Sequence, residues 1–264
     1  MFGVTDFTIK KIKEPAFSII LFIGIFLGYM VAGGDPVPDD QAGGILSQIL
    51  SSPKGHTLLT SSFFAIGITL VMAVFTGATE IPRDIDTGMI LLIITKPISK
   101  TEYLIGKYIG VLCLCSIIFT ASQLTVFITH FLSTGKFYPI GLMCKQFYLL
   151  FAVLPLTALT VMVSCFLNDI SSMIISVVYI VFSIAMSGIV ILVSLLPKSI
   201  SSSFEAYMLV FYYFFPDFIY YFQNSRIFGL VSLALLLYSL SITVIFLTIG
   251  ANALNSRDLN SSKD

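Results

Sequence analysis

Six long apolar runs constrain this chain more than any other feature: Ala16 to Ala32, Leu58 to Thr79, Leu104 to Leu132, Gln146 to Leu167, Ser172 to Leu196 and Ile227 to Ala251. About 20 helical residues cross the roughly 30 Å of hydrocarbon in a bilayer, and a spanning segment must satisfy its backbone polar groups from within. The runs therefore predict an all-α polytopic membrane protein with six transmembrane helices in a single domain over residues 1–264. Composition points the same way. Of 264 residues, 57% are hydrophobic and 11% charged, and mean hydropathy is +0.99, whereas a soluble domain carries roughly 25% charged residues. Formal net charge is zero, so no global field attracts nucleic acid, and the expected environment is the lipid bilayer.

The first run follows Lys10, Lys11 and Lys13, a basic prelude like that of a secretory signal. It exceeds the roughly 7 to 15 apolar residues of such a signal, and "YMVAGG" is a poor cleavage site, so it reads as a retained anchor. Six spans put both termini on one side, and the lysines and arginines choose the side. Lys10, Lys11, Lys13, Arg83, Lys96, Lys100, Lys107, Arg257 and Lys263 share the terminal side; Lys54, Lys136, Lys145, Lys198 and Arg226 lie opposite. Nine against five predicts cytoplasmic termini. The hairpin over 80–107 and the short turn "NDISS", Asn168 to Ser172, then face the cytoplasm, and the loops around Asp35 to Lys54 and Lys198 to Arg226 face outward.

Charged side chains inside a bilayer are costly and mark ion paths or proton relays. No Asp, Glu or Arg falls in the middle of a run; Lys107 lies near a cytoplasmic end and His130 near an outer one. The runs thus predict no buried carboxylates and no ion-coupled transport. The chain also lacks an HExxH pair, a G-x-S-x-G elbow and a Walker A loop. With two histidines, His56 and His130, it offers little for catalysis. Cys113 and Cys115 in "CLC" point to nearly opposite helix faces and do not suit one metal ion. Cys144, Met143, His130 and His56 lie toward the outer side, where soft ligands suit copper, but Cys and Met are ordinary packing residues, so no metal is expected. Gly24, Gly28, Gly67 and Gly77 are candidates for close helix packing.

Between the second and third runs lies "EIPRDIDTGMILLIITKPISKTEYLIGKY", Glu80 to Tyr108. Pro82 suits a helix start, and Ile81, Ile85, Met89, Leu92 and Ile93 recur at helical spacing, which predicts a short amphipathic helix with Arg83, Asp84, Asp86 and Thr87 polar. "MILLII" is too short to span and too apolar for water. Lys96-Pro97 breaks the helix, and Ser99 to Glu102 matches the S-x-x-E capping box, which starts the next one. A helix-break-helix element beside a bundle without ion sites is a handle that something outside the chain can push.

"PRDIDTGMILLIITKPISKTEYLIGKY" resembles the hallmark region of type-2 ABC transporter permeases: Arg-Glu-x-Glu-x-Gly, a leucine-rich run, Pro followed by Ser and a basic residue, then an apolar stretch ending Gly-Lys. Arg83, Asp84, Asp86, Gly88, Pro97, Ser99, Lys100, Gly106 and Lys107 match in order, with Asp where the family commonly has Glu. "FTIKKIKEPAFSIILF", Phe7 to Phe22, is similar to that family's amphipathic elbow helix. "FYYFFPDFIYYF", with Phe215, Pro216 and Asp217, resembles the outer segment before the last span in the multi-copper-enzyme-maturation subgroup. The resemblance implies a permease subunit of an ATP-driven exporter in the cytoplasmic (inner) membrane. It implies no ATPase motif and no cofactor in this chain, ATP and Mg in a separate ABC ATP-binding subunit, and a second permease, identical or different. The ATPase would dock on the hairpin through Arg83, Asp84 and Asp86, with Gly88 permitting close approach. Ser99, Lys100, Glu102, Gly106 and Lys107 would carry movement into the third span, and Asn168 and Asp169 would add a second contact. A non-transporting scaffold or assembly factor with a permease-like fold is the alternative, and an intramembrane enzyme a weaker one.

Overall fold

The computed structural model describes residues 15, 17–23, 53–88, 99–135, 137, 148–194 and 230–256. Among these, regular structure is entirely α-helical. A helical segment over 17–23 precedes α1 (Pro53–Asp86), α2 (Lys100–Thr134), α3 (Leu150–Ser164), α4 (Asp169–Ser194) and α5 (Leu230–Ser256). Three stretches among the described residues are long and apolar enough to cross a membrane: Ala65–Asp86, Lys100–Leu132 and Leu233–Ser256. Leu150–Ser164 and Asp169–Ser183 are shorter apolar helices.

Hydroxyl side chains inside these helices are satisfied locally, which is what an apolar surrounding demands. Thr69 donates to Ala65 O, Thr76 to Met72 O, Ser122 to Ile118 O, Ser176 to Ser172 O and Thr243 to Ser239 O, all at 2.7–2.9 Å. The outward faces are apolar at helical spacing, as in Leu233, Leu237, Leu240 and Val244 of α5 or Ile170, Ile174, Val177, Val178 and Val181 of α4. Apolar residues on both the inner and outer faces suit a lipid surrounding.

The core is organised around α3. Its sequence "LFAVLPLTALTVMVS" has no charged residue and most of it is buried, and it packs against each of the other four helices. At 1.5 Å per residue it rises roughly 22 Å, less than the hydrocarbon thickness. Two glycines let neighbours close on it. A Cβ at Gly77 of α1 would stand 2.3 Å from Thr160 Oγ1, and one at Gly250 of α5 would stand 3.3 Å from Met162 Cα. Residues two apart project to nearly opposite sides of a helix, so α1 and α5 grip α3 from two sides. Of the other expected packing glycines, Gly67 has nothing within 4 Å of a Cβ, and Gly24 and Gly28 lie outside the described residues. The buried side chains form one group with Ile81, Leu104, Tyr108, Val161, Cys165 and Ala251 and another with Ala65, Ile66, Phe119, Leu149 and Leu156. Phe17 joins a third with Met72, Leu114 and Ile118, which docks the 17–23 segment on α1 and α2.

Helix ends differ from those read off the apolar runs. The second run was expected to stop at Thr79 with a new helix starting at Pro82. Instead α1 runs unbroken to Asp86 with Pro82 inside it. Proline forfeits one backbone bond there, but its ring is buried, and Asp84, which follows, is paired inward with Lys107, so the helix continues. α5 likewise continues to Ser256 rather than Ala251, while α2 begins at Lys100, where the Ser99–Glu102 capping box placed its start ahead of the apolar run. The α3–α4 connection is also shorter than "NDISS", because Asp169 already begins α4 and Ser172 N–H donates to Asn168 O at 2.9 Å. Gly88 and Gly135, just past the ends of α1 and α2, both have left-handed φ, +68° and +66°, a conformation glycine adopts without strain.

Gly77→Ala should lower the thermal midpoint of the purified protein, since overpacking costs on the order of 1–3 kcal/mol. Adding Thr160→Ala, which removes the nearest atom, should recover part of the loss. Equal midpoints for wild type and Gly77→Ala would contradict the tight α1–α3 crossing.

Candidate functional site

At one end of the bundle the last turns of α1 meet the first turns of α2. Glu80 and Asp84 lie four residues apart on α1, and Tyr103 and Lys107 four apart on α2, so each pair shares one helix face. The two faces meet. Lys107 Nζ lies 3.0 Å from Glu80 Oε2 and 2.8 Å from Asp84 Oδ2, and the Tyr103 hydroxyl donates to Asp84 Oδ2 at 2.5 Å. Lys107 Nζ also stands 5.8 Å from the Tyr103 ring centroid. Glu80 and Asp84 are buried and Lys107 is mostly so, with side chains 8%, 9% and 14% exposed. The expectation of no buried carboxylates is thus corrected. Two carboxylates are tolerated because one ammonium bridges them and a phenol adds a donor, the condition under which buried charge survives.

The start of α2 is fastened separately. Ser99 has extended backbone, φ −70° and ψ 149°, and forms both halves of a capping box with Glu102. Glu102 N–H donates to Ser99 Oγ at 3.1 Å, and Ser99 N–H donates to Glu102 Oε2 at 2.9 Å. Lys100, the next residue, reaches across to the end of α5, donating to Leu254 O at 3.0 Å and Asn255 O at 3.4 Å. The α3–α4 turn is adjacent, since Cys165 shares an apolar cluster with Tyr103 and Leu104. The final turn of α1, the first of α2, the α3–α4 turn and the last of α5 therefore meet at one end.

The residues singled out in the sequence divide into two sets. Arg83, Asp86, Ser99 and Glu102 are exposed. Asp84 and Lys107 face inward and are bonded to each other, so Asp84 offers no free carboxylate to the surface. Gly106 is half-buried within α2. Gly88 is required by its left-handed backbone, and among the described residues nothing comes within 4 Å of the space a Cβ would fill. Asn168 is exposed and Asp169 half-buried; Asp169 Oδ1 and Ser172 Oγ are buried without a hydrogen-bond partner. Pro97, the apolar stretch 89–94, residues 7–14 and 16 of the elbow and the outer residues Phe215, Pro216 and Asp217 lie outside the described residues. Sequence reasoning missed Glu80 and Tyr103. The available signal was the matched i, i+4 spacing of Glu80/Asp84 and Tyr103/Lys107 on either side of the hairpin.

The cluster makes a sharp stability prediction. Lys107→Met removes the cation that balances two buried carboxylates, a loss on the order of 3–5 kcal/mol for breaking a buried pair. Asp84→Asn leaves the Lys107–Glu80 pair intact and should cost much less. The triple change Glu80→Gln, Asp84→Asn, Lys107→Met should restore most of the recovery of monodisperse protein. A triple variant no better than Lys107→Met would contradict the charge-balance explanation.

Comparison with known proteins bears on almost the whole chain. The model of a family described as ABC-2 family transporter protein matches residues 8–259. No curated protein matches.

Proposed function

We propose a function from the premise that this chain belongs to the ABC-2 transporter family: it is the membrane-spanning permease subunit of an ATP-driven exporter, moved by a separate ATP-binding subunit that docks on the segment joining α1 to α2. In this reading six helices cross the cytoplasmic (inner) membrane with both termini inside. Residues Phe7 to Phe22 form an elbow on the inner leaflet, and a second permease, identical or different, completes the path. The partner ATPases carry ATP and Mg, and this chain contributes no catalytic group.

One observation carries the coupling role. Arg83 and Asp86 are exposed on the last turn of α1, while Asp84 between them is anchored inward to Lys107 and Tyr103. A charged outer face on a helix end whose inner face is bonded to the next helix can take a push and pass it on. A loose loop would absorb the same push in its own backbone. Ser99 and Glu102 stiffen the point where the chain re-enters helix, so force on the hairpin becomes displacement of α2. Closure of the ATPases shifts the bundle between two states only because the docked contacts differ between those states. Asn168 and Asp169, at the neighbouring turn, supply the second contact, and the outer segment with Phe215, Pro216 and Asp217 lines the far gate.

The test is the double change Arg83→Glu, Asp86→Lys. Both positions are exposed, so the permease should fold and insert as wild type. Juxtaposed like charge across an interface should weaken copurification of the ATPase by about tenfold or more and abolish its stimulated hydrolysis. Undiminished binding together with undiminished stimulation would contradict the docking role and favour a scaffold that shares the permease fold.

A further inference from the structure

Lys100 occupies the first position of α2, the end where the amides of its own helix already carry a partial positive charge. A cation is locally the wrong choice there, and the capping of that end is done by Ser99 and Glu102. The side chain instead spans to another helix. Its Nζ donates to Leu254 O at 3.0 Å and to Asn255 O at 3.4 Å, two of the last carbonyls of α5, which ends at Ser256 and has no basic residue in its own last turn. The end of a helix carries partial negative charge and orphan acceptors, so Lys100 is unfavourable for α2 alone and favourable for α2 joined to α5. Such a conflict between local and tertiary preference marks a position committed to the tertiary contact.

The rest of the α2–α5 contact is mostly apolar, although Tyr108 and Thr243 also hydrogen-bond across it. Leu104 lies beside Gly250, and Leu104, Tyr108, Phe246 and Ala251 share one apolar cluster. Apolar surfaces fix separation but allow sliding along the axis, whereas a charged donor on two terminal carbonyls fixes axial position. α5 has no covalent neighbour in the α1–α2 hairpin; among the described residues Lys100 is the charged tie between its last turn and that region, and Tyr108 meets Thr243 farther into the bundle.

We infer that Lys100 is a clasp that makes α5 travel with α2 when the hairpin moves, a positioning residue inside the permease rather than a contact for the ATPase. The inference rests on the coupling reading above and extends it: one push on the hairpin displaces two spans as a unit.

The test places spin labels at Thr101→Cys and Asn252→Cys, both exposed positions, in a chain whose four native cysteines are replaced. In the otherwise wild-type chain the distance distribution between labels should be narrow, and equally narrow in the nucleotide-free and ATP-trapped complexes. Lys100→Met should broaden it and make it differ between the two states, and Lys100→Arg should restore it. ATPase copurification should be retained in Lys100→Met while stimulated hydrolysis falls on the order of fivefold or more. A Lys100→Met distribution indistinguishable from wild type in both states overturns the clasp, and so does loss of copurification without a change in distance, which would make Lys100 a docking contact. The same labels read on the permease without the ATPase should already show the broadening in Lys100→Met, and that part of the readout needs no partner. Failure of the hairpin reading, seen with Arg83→Glu, Asp86→Lys, is therefore separable from failure of the clasp.

Discussion

Lys107 holds two carboxylates of a neighbouring helix inside the protein, and the geometry of the whole α1–α2 end follows from that bond. Without it, Glu80 and Asp84 would have to face water and α1 would have to end before Glu80, as the apolar pattern suggests. With it, the helix runs through Pro82 to Asp86, four residues past the proline, and leaves Arg83 and Asp86 outward on a firm support. The energy is one of mutual dependence more than of net gain. A buried ion pair is often no better than an apolar replacement, yet removing one member is severe. That asymmetry suits a part that must keep one shape while force passes through it.

A second constraint is the central helix α3. It is short and apolar, and it is approached so closely at Gly77 and Gly250 that α1 and α5 cannot move independently against it without breaking contact. Close-packed interfaces of this kind have discrete arrangements and resist continuous deformation, so displacement at one end of the bundle reaches the rest as a step. The polar ties that involve a charged group, among the described residues, gather at the end that carries the exposed charges: Lys107 with Glu80 and Asp84, Tyr103 with Asp84, the Ser99–Glu102 cap, and Lys100 on α5. Elsewhere the hydroxyls mostly bond to their own helix, which leaves those contacts free to repack.

Helical class and membrane character were legible because lipid admits few solutions: long apolar runs have to be helices. The Ser99–Glu102 cap was legible because its signal is local, two side chains and two amides within four residues. The inward turn of Asp84 was not legible, since nothing local separates it from Arg83 or Asp86; its partner lies 23 residues on, across the hairpin. The end of α1 was misplaced at Thr79 because hydropathy counts Glu80 and Asp84 as charges, although both are paired with Lys107 inside the protein. The tie from Lys100 to α5 was not legible either: its acceptors, Leu254 O and Asn255 O, are backbone atoms far along the chain, which leave no mark in side-chain patterning.

The central claim is that the hairpin stands on a rigid base. Amide hydrogen exchange at residues 80–86 of α1 and 103–108 of α2, in the full chain with and without trapped ATP, tests it most directly. Helix ends normally fray and exchange fast. If the buried Lys107 bridge fixes this end, those amides should be protected to the same degree as residues 111–118 in the interior of α2, and equally in both nucleotide states. Fast exchange at 80–86, as for an untethered final turn, would contradict the account.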